Sequence, residues 1–516
     1  MKFTLSWLQE FVPVKIPPEE IANLLTMAGL EVEAVRSLWD PQGEEDWLFE
    51  VNVTPNRGDC LSVRGLAREL SAFTNEPLKS RPAEAGEGGR LAARIAVDIR
   101  EPRACARYSA AVVVDLAAGV SPGWLAYRLE SCGIRAINNI VDVTNYVMLE
   151  TGQPLHAFDL DRLTSGSIVV RFAGAGERIV TLDGIERELG AGDLLICDGE
   201  RPIALAGIMG GVESEVGAGS RRVLVESAHF DPTIIRRSAK RLGLHTEASH
   251  RFERGVDPTG TVAALERAAA LLAECARGKA AGWVDRYPAP PRARFIELRP
   301  ERVASLLGVV LDRGDIRRFL TALGLEVRDG EHTGALRVTP PPARSDLERE
   351  ADLIEELARL YGYEKIPATL PALRVCGGKT DEASRREAQA RAVLAGAGLS
   401  EVVNLPFTGR RMNQFFPGLW AEAGVPVTVL NPVAAENDEL RLSLLPGLLE
   451  NLRLNLAHKA PGFFAYHLGK VFSAAADGTA AERQSLAGIL YGRRPRRGLR
   501  GREVAPADFF DGKGVV

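Results

Sequence analysis

Three stretches rich in proline, glycine and charge interrupt this chain, at 76–95, 286–294 and 367–384. Such runs lack the apolar periodicity that helices and strands require, so they divide the sequence into separately folding parts. The parts are an N-terminal module over 1–85, a large central domain over 95–285, a small domain over 293–367 and a C-terminal domain over 385–516. Division on this scale is expected of 516 residues, because one apolar core stops growing well short of that length.

One unit recurs across the parts. The segment from Ile21 to Glu33 (IANLLTMAGLEVE) aligns without gaps on that from Ile316 to Arg328 (IRRFLTALGLEVR). In each, apolar residues at helical spacing end at a glycine, Gly29 or Gly324, and a short alternating strand follows. Glycine suits the left-handed conformation that closes a helix. Looser copies run from Trp124 to Ile134, closing on Gly133, and from Val393 to Leu399, closing on Gly398. The pattern fits duplication and a reused helix–turn–strand device equally well. Both make the chain α+β and multidomain.

Composition removes several function classes. Hydrophobic residues at 46% and charged residues at 26% describe an ordinary globular protein. A net charge of −4 argues against a broad cationic surface, so any nucleic-acid contact must be local or shared with a partner. The six cysteines (Cys60, Cys105, Cys132, Cys197, Cys275, Cys376) include no CxxC pair, and the seven histidines no HExxH spacing. A disulfide framework and a zinc site are therefore not expected. No apolar run approaches a membrane span, so the chain reads as cytoplasmic with no membrane partner.

The central domain carries the densest motifs. Asn138-Asn139-Ile140-Val141-Asp142-Val143-Thr144-Asn145-Tyr146 runs into Gly152-Gln153-Pro154-Leu155-His156-Ala157-Phe158-Asp159. A glycine-rich turn follows, Ala206-Gly207-Ile208-Met209-Gly210-Gly211. It matches neither GxGxxG nor GxxxxGK[ST], so it reads as a tight turn or a close backbone approach to a ligand. Val223-Leu224-Val225-Glu226 is an apolar strand ending in a carboxylate, solvated or a buried acceptor. The last string runs from Leu244 through His245-Thr246-Glu247-Ala248-Ser249-His250 to Asp257.

In order and spacing these strings resemble the editing domain of the phenylalanyl-tRNA synthetase β subunit over about 105–275. The resemblance implies an α/β domain with a pocket that hydrolyses tyrosine misattached to tRNA(Phe). By matching positions, Glu226 would recognise the tyrosine hydroxyl. Gly207, Gly210, Thr246 and Ala248 would shape the aminoacyl pocket, and Thr144, Asn145 and His156 would surround the ester and terminal adenosine. The division of labour is physically reasonable. An apolar pocket rejects an added hydroxyl by only about a hundredfold. A second site that offers that hydroxyl a carboxylate reverses the preference, since phenylalanine leaves the acceptor unpaired. No Ser–His–Asp or Cys–His set is evident, so a positioned water, aided by His156 and the tRNA ribose hydroxyl, is the expected nucleophile.

The N-terminal strings Ser6-Trp7-Leu8, Leu25 to Glu33 and Val53 to Ser62 resemble the same family. Most bacterial members carry an OB-type tRNA-binding domain between the second and third strings. Here only Ala34 to Asp46 intervene, so that domain is expected to be absent.

The small domain, expected to be winged-helix-like, ends in Arg344 to Tyr363. Ser345 and Glu348 suggest a capping box, and Leu347, Ile354, Leu357 and Tyr361 an apolar stripe. Asp352 precedes Glu355 and Glu356 by three and four residues, which places the three carboxylates on one helix face. Such a face is solvated or holds a hard cation. The resemblance implies Asp346, Asp352, Glu355 and Glu356 as Mg²⁺ ligands near the α-subunit contact.

From about 385 the chain resembles the class II-like antiparallel-sheet domain of the β subunit, through Val402 to Phe407, Leu430-Asn431-Pro432, Glu439 to Leu448 and Leu468 to Phe472. The arginines of a working class II site are not recognisable there. The resemblance therefore implies that ATP and phenylalanine bind a separate α subunit, two α and two β forming the assembly. The ending, Phe509 to Val516, resembles mid-domain sequence, so the rest of that domain and a C-terminal anticodon-binding domain are expected to be missing. The Arg493-to-Arg502 run reads as a solvated loop or a contact to tRNA phosphates. The alternatives are a free-standing aminoacyl-tRNA deacylase and a non-catalytic tRNA- or partner-binding scaffold. The class II-like domain counts against the first, and the retained Glu226, Thr246, Ala248 and His156 against the second.

Overall fold

The computed structural model describes residues 1–79, 95–291, 294–330, 332, 334–371, 381–418, 425–475, 479–493 and 506–515. Cys376 and most of the 493–502 arginine run lie outside them. The chain divides into two units, Met1–Leu370 and Pro371–Val516.

The repeated helix–glycine–strand unit shows why those residues fold as they do. Gly29, Gly133, Gly324 and Gly398 adopt φ of +89°, +86°, +84° and +87°. One residue later, the amides of Leu30, Ile134, Leu325 and Leu399 donate back to the carbonyls of Leu25, Leu129, Leu320 and Leu394 at 2.9, 2.9, 3.1 and 3.0 Å. That bond, with apolar residues at both of its ends, is the Schellman closure of a helix.

In the first unit, the N-terminal module pairs the strands Lys2–Thr4, Glu45–Asn52 and Glu31–Trp39, with Glu45–Asn52 in the middle. Glu31–Trp39 and Glu45–Asn52 are joined by a tight turn in which the Asp40 carboxylate accepts the amides of Gln42 and Glu44 at 2.9 and 2.8 Å. A hairpin thus stands where the family resemblance placed an inserted domain.

The central domain stacks two sheets. One is antiparallel, in the order Lys279–Arg286, Cys105–Val114, Val223–Phe230, Leu155–Asp159. The other has five strands, Met209–Gly210, Arg201–Leu205, Leu194–Asp198, Ser167–Phe172 and Ala96–Ile99, the last pair parallel. The two-residue period of a strand sorts the first sheet's side chains. Ala111, Val113, Val223 and Val225 share a core with residues of the helices Asn139–Thr151 and Thr261–Ala276. Tyr108, Ala110, Val112, Phe158, Leu224 and Ala228 share the other core with the five-stranded sheet. The strand Val223–Phe230 is covered on both faces, so nearly every one of its residues is buried, the polar Glu226 and Ser227 included. Glu226 belongs by parity with Leu224 and Ala228, between the sheets. It lies mid-strand, not at the strand's end, and is buried.

The small domain packs the helices Pro300–Leu307, Arg313–Ala322 and Glu350–Tyr361 on a three-stranded antiparallel sheet. Its last helix corrects two sequence expectations. It begins at Glu350, and the capping acceptor is Asp352, whose carboxylate takes the amides of Glu348 and Arg349 at 2.9 and 2.7 Å; Ser345 and Glu348 form no capping box. Leu347 joins the apolar core from ahead of the helix. Glu355 is exposed while Glu356 is 3% exposed, so the three carboxylates do not share one environment.

In the second unit, Gly462–Ala474 and Ala480–Gly492 form a long antiparallel hairpin, with Ser400–Glu401 parallel to Gly462–Ala474. Arg441 donates to the carbonyls of Lys470 and Asn404 at 2.9 and 3.1 Å, holding backbone together. Among the described residues no helix is long and apolar enough to cross a membrane.

Candidate functional site

Between the two central sheets, His156, Gly207, Gly210, Glu226 and Ala248 line one cavity of about 60 Å³, together with Pro154, Ile196, Leu205, Met209 and Phe252 among others. Strand pairing sets its floor. Glu226 stands directly opposite His156 in the antiparallel register, so both side chains leave the same face of the sheet. On the other side Glu226 faces Ala110, and Tyr108 pairs with Ala228, which makes Tyr108 a diagonal neighbour of Glu226. The fully buried Tyr108 hydroxyl donates to Glu226 Oε2 at 3.1 Å.

Burial sets the charge state. It pushes the Glu226 carboxyl up to about 8, against the smaller opposite pull of the Tyr108 hydrogen bond. Burial also depresses the His156 imidazole to about 4, with the Phe158 ring set edge-on at 4.6 Å. Near neutral pH the floor therefore presents an uncharged carboxyl beside an uncharged imidazole. The carboxyl offers a donor and an acceptor. The imidazole has one nitrogen free to accept a proton.

The glycine turn forms one wall. A Cβ on Gly210 would sit 2.6 Å from His156 Cε1 and Nε2, so the imidazole reaches its place only because that position is bare. Gly207 has φ +66°, and a Cβ there would meet Phe252 at 2.9 Å and Phe230 at 3.0 Å. Thr246 is the N-cap of the helix Glu247–Phe252, accepting the Ser249 amide at 3.0 Å. Its hydroxyl also donates to the Ile208 carbonyl at 2.9 Å, fastening the helix that carries Ala248 and Phe252 to the turn. As it stands the cavity has room for only a few water-sized molecules. An aromatic ring enters only if the rim yields, and half-buried Met209 is the lining side chain with the flexibility to move.

Thr144 and Asn145 lie on the helix Asn139–Thr151 and are not among the lining residues. The Thr144 hydroxyl donates to its own helix at the Val141 carbonyl, 2.6 Å away. Tyr108 went unnoticed in the sequence. The alternation of Cys105–Val114 marks its face, but only strand register brings it to Glu226.

A larger cavity of about 610 Å³ lies between the N-terminal module and the central domain. Its charged lining is mostly paired, Asp59 with Arg68 and Glu150 with Arg267, and it offers no buried carboxyl beside a base.

The four carboxylates that the resemblance assigned to Mg²⁺ do not form a cation cage. Asp346 and Glu356 are both held by Arg344, at 2.8 and 2.9 Å, and Glu356 also by Arg359 at 2.6 Å. Asp352 is occupied with helix amides and Glu355 is exposed. Among the described residues the one close group of potential metal ligands is Asp59, Cys60 and Glu69. The Arg57 guanidinium donates to all three.

Three family models match the chain: the B3/4 domain over 104–277, the tRNA synthetase B5 domain over 296–363, and the phenylalanyl tRNA synthetase beta chain CLM domain over 366–516. A phenylalanine–tRNA ligase β subunit of Geobacter sulfurreducens is 44% identical over 483 residues, covering 93% of this chain and 60% of that protein. One from Moorella thermoacetica is 44% identical over 492 residues, with the same two coverages. The chain thus spans 60% of the length of these relatives. A solved N-terminal fragment of the phenylalanyl-tRNA synthetase β subunit from Pyrococcus horikoshii covers 70% of this chain and 99% of its own, at 16% identity and a TM-score of 0.40. That likeness is too loose to bear on the site.

Proposed function

The chain belongs to the phenylalanyl-tRNA synthetase β-subunit family, and we propose that its central cavity removes tyrosine wrongly esterified to tRNA(Phe). The observation that carries this reading is the buried Glu226 set opposite His156, with the Tyr108 hydroxyl on one carboxyl oxygen. Tyr108 orients the carboxyl and leaves its Oε1 side for a second hydroxyl, that of the misattached tyrosine. Phenylalanine would bury the same groups without a partner, a loss of about 1–3 kcal/mol. On this reading the ester lies against the His156 imidazole, which neighbours Glu226 on the same sheet face, and that ring accepts a hydrogen bond from a water molecule. The water oxygen adds to the ester carbonyl carbon, the ribose oxygen leaves with a proton, and the products are free tyrosine and a tRNA with its terminal hydroxyl restored. The carboxylates of the small domain take no part.

On this reading ATP and phenylalanine are handled by a separate α subunit, in an assembly of two α and two β in the cytoplasm. The exposed apolar side chains Val403, Leu405, Leu430 and Val433 of the second unit support a partner there.

The test is direct. Tyrosyl- and phenylalanyl-tRNA(Phe) are incubated with the purified chain, with and without α, and remaining ester is counted. Wild type is expected to clear the tyrosyl ester selectively, and Glu226→Ala to lose at least tenfold in that selectivity. Full clearance by the variant would dispose of the assignment.

A further inference from the structure

The helix Pro232–Leu242 (PTIIRRSAKRL) holds four cations and no acid among its 11 residues. Its inner face is anchored in the core behind a residue that lines the cavity: Ile235, Ser238 and Ala239 are buried, and Ile235 Cδ1 lies 3.2 Å from where a Gly207 Cβ would sit. The helix is therefore seated directly behind the glycine turn. After Gly243 the chain leads at once to Thr246 and Ala248. The outer face presents Arg236, Arg237, Lys240 and Arg241, all exposed. Residues four apart on a helix are neighbours, so Arg236 adjoins Lys240 and Arg237 adjoins Arg241.

Arg241 is tied to Asp193. Among the described residues, no carboxylate stands within ion-pair distance of Arg236, Arg237 or Lys240. Exposed arginines elsewhere commonly have such partners, as Arg222 has Asp161, Arg299 has Glu350, Arg317 has Asp329 and Arg386 has Glu382. The helix dipole accounts for Lys240 and Arg241 in the last turn. It does not account for Arg236 and Arg237 in the middle, where neighbouring like charges oppose helix formation. In a chain of net charge −4, a cation strip left unneutralised beside a cavity points to a ligand that brings its own negative charge.

We propose that the Arg236–Arg237–Lys240 face binds the phosphodiester backbone of the nucleic acid whose esterified 3′ end enters the Glu226 cavity. The placement of the ester rests on the editing reading above; the binding of a polyanion does not. Phosphate contacts position without reading sequence, so the strip would act as a guide rail and leave selectivity to the cavity.

The test compares wild type with an Arg236→Ala/Arg237→Ala/Lys240→Ala variant of the full chain. Two substrates are used over a range of salt: tyrosyl-tRNA(Phe) and tyrosyl-adenosine, the same ester without the polynucleotide. Equilibrium binding of uncharged tRNA is measured alongside. The variant is expected to raise KM for the tRNA ester ~10-fold or more and to flatten the slope of log KM against log salt by roughly two, while tyrosyl-adenosine is cleaved as before. An unchanged KM and salt slope on tRNA would overturn the proposal and leave the cavity assignment standing. If wild type cleaves neither ester, the cavity assignment fails, and the binding measurement still decides the strip: equal affinity and equal salt slope in the two proteins would sink it. An Arg236→Lys/Arg237→Lys variant, which keeps the charge, is expected to retain the salt slope and separates loss of charge from loss of fold.

Discussion

Glu226 shows what a single side chain costs the fold in exchange for a candidate function. Its carboxyl titrates near 8 in the folded chain and near 4.5 when free, so between those values the native state binds more protons than the unfolded one. Its contribution to stability is complete below about pH 4.5 and is lost as pH rises to 8. The full swing is of the order of a few kcal/mol. Glu226→Gln removes this titration, so its melting temperature is expected to gain on wild type steadily from pH 5 to pH 8. Parallel Tm–pH curves for the two proteins would show that the carboxyl is not held in the environment described. Residues of this kind are only partly legible in a sequence. A carboxylate after Val223-Leu224-Val225 is visible, but whether it is solvated depends on a second sheet whose strands lie elsewhere in the chain. Tyr108 is hidden for the same reason: its partner is 118 residues away and is chosen by register.

Elements were more legible where local chemistry decides them. Gly29, Gly133, Gly324 and Gly398 each follow a helical apolar pattern and precede an apolar residue, and each closes a helix with the same bond. The helix at Glu350–Tyr361 resisted such reading because two acids compete for its start, and Asp352, three residues past the cap, wins over Glu348. The glycine turn at 206–211 was readable as a turn, yet not for why Gly210 must be glycine. That follows from His156, which occupies the space of its missing Cβ. Gly210→Ala is therefore expected to displace the imidazole by about an ångström and to cut tyrosyl-ester hydrolysis ~100-fold, since misplacement on that scale is enough. Circular dichroism and Tm should change far less than the rate. Wild-type hydrolysis by the variant would mean that His156 does no positioning in the reaction.

At the scale of the first unit, the N-terminal module is locked to the small domain by buried charge. Arg359 donates to Glu69 at 2.8 Å and to Glu356 at 2.6 Å, Arg344 binds Glu356 and Asp346, and Arg57 binds Glu69 and Asp59. Arg57, Arg344 and Arg359 with Asp59, Glu69 and Glu356 are all nearly inaccessible. The sequence shows Glu356 only as part of a helix face open to solvent or a cation. Arg344 and Arg359 stand 12 and three residues from it, but that both turn onto it, and that Arg359 reaches on to Glu69, 290 residues away, depends on how the two domains pack. Two arginines hold Glu356 down to about 2, well below the usual carboxylate range, so its stabilisation is present above about pH 4.5 and is lost as pH falls towards 2. Removing one member leaves the others buried and uncompensated, at a cost of about 3–5 kcal/mol. Arg359→Met is thus expected to lower the denaturant midpoint of the first unit sharply and to expose the 57–69 segment to protease. If Glu356 were instead a metal ligand, Mg²⁺ and its chelation would move the same midpoint in wild type. The ion-pair arrangement predicts that they do not, and a chelator-induced drop matching that of Arg359→Met would favour the cation over the lock.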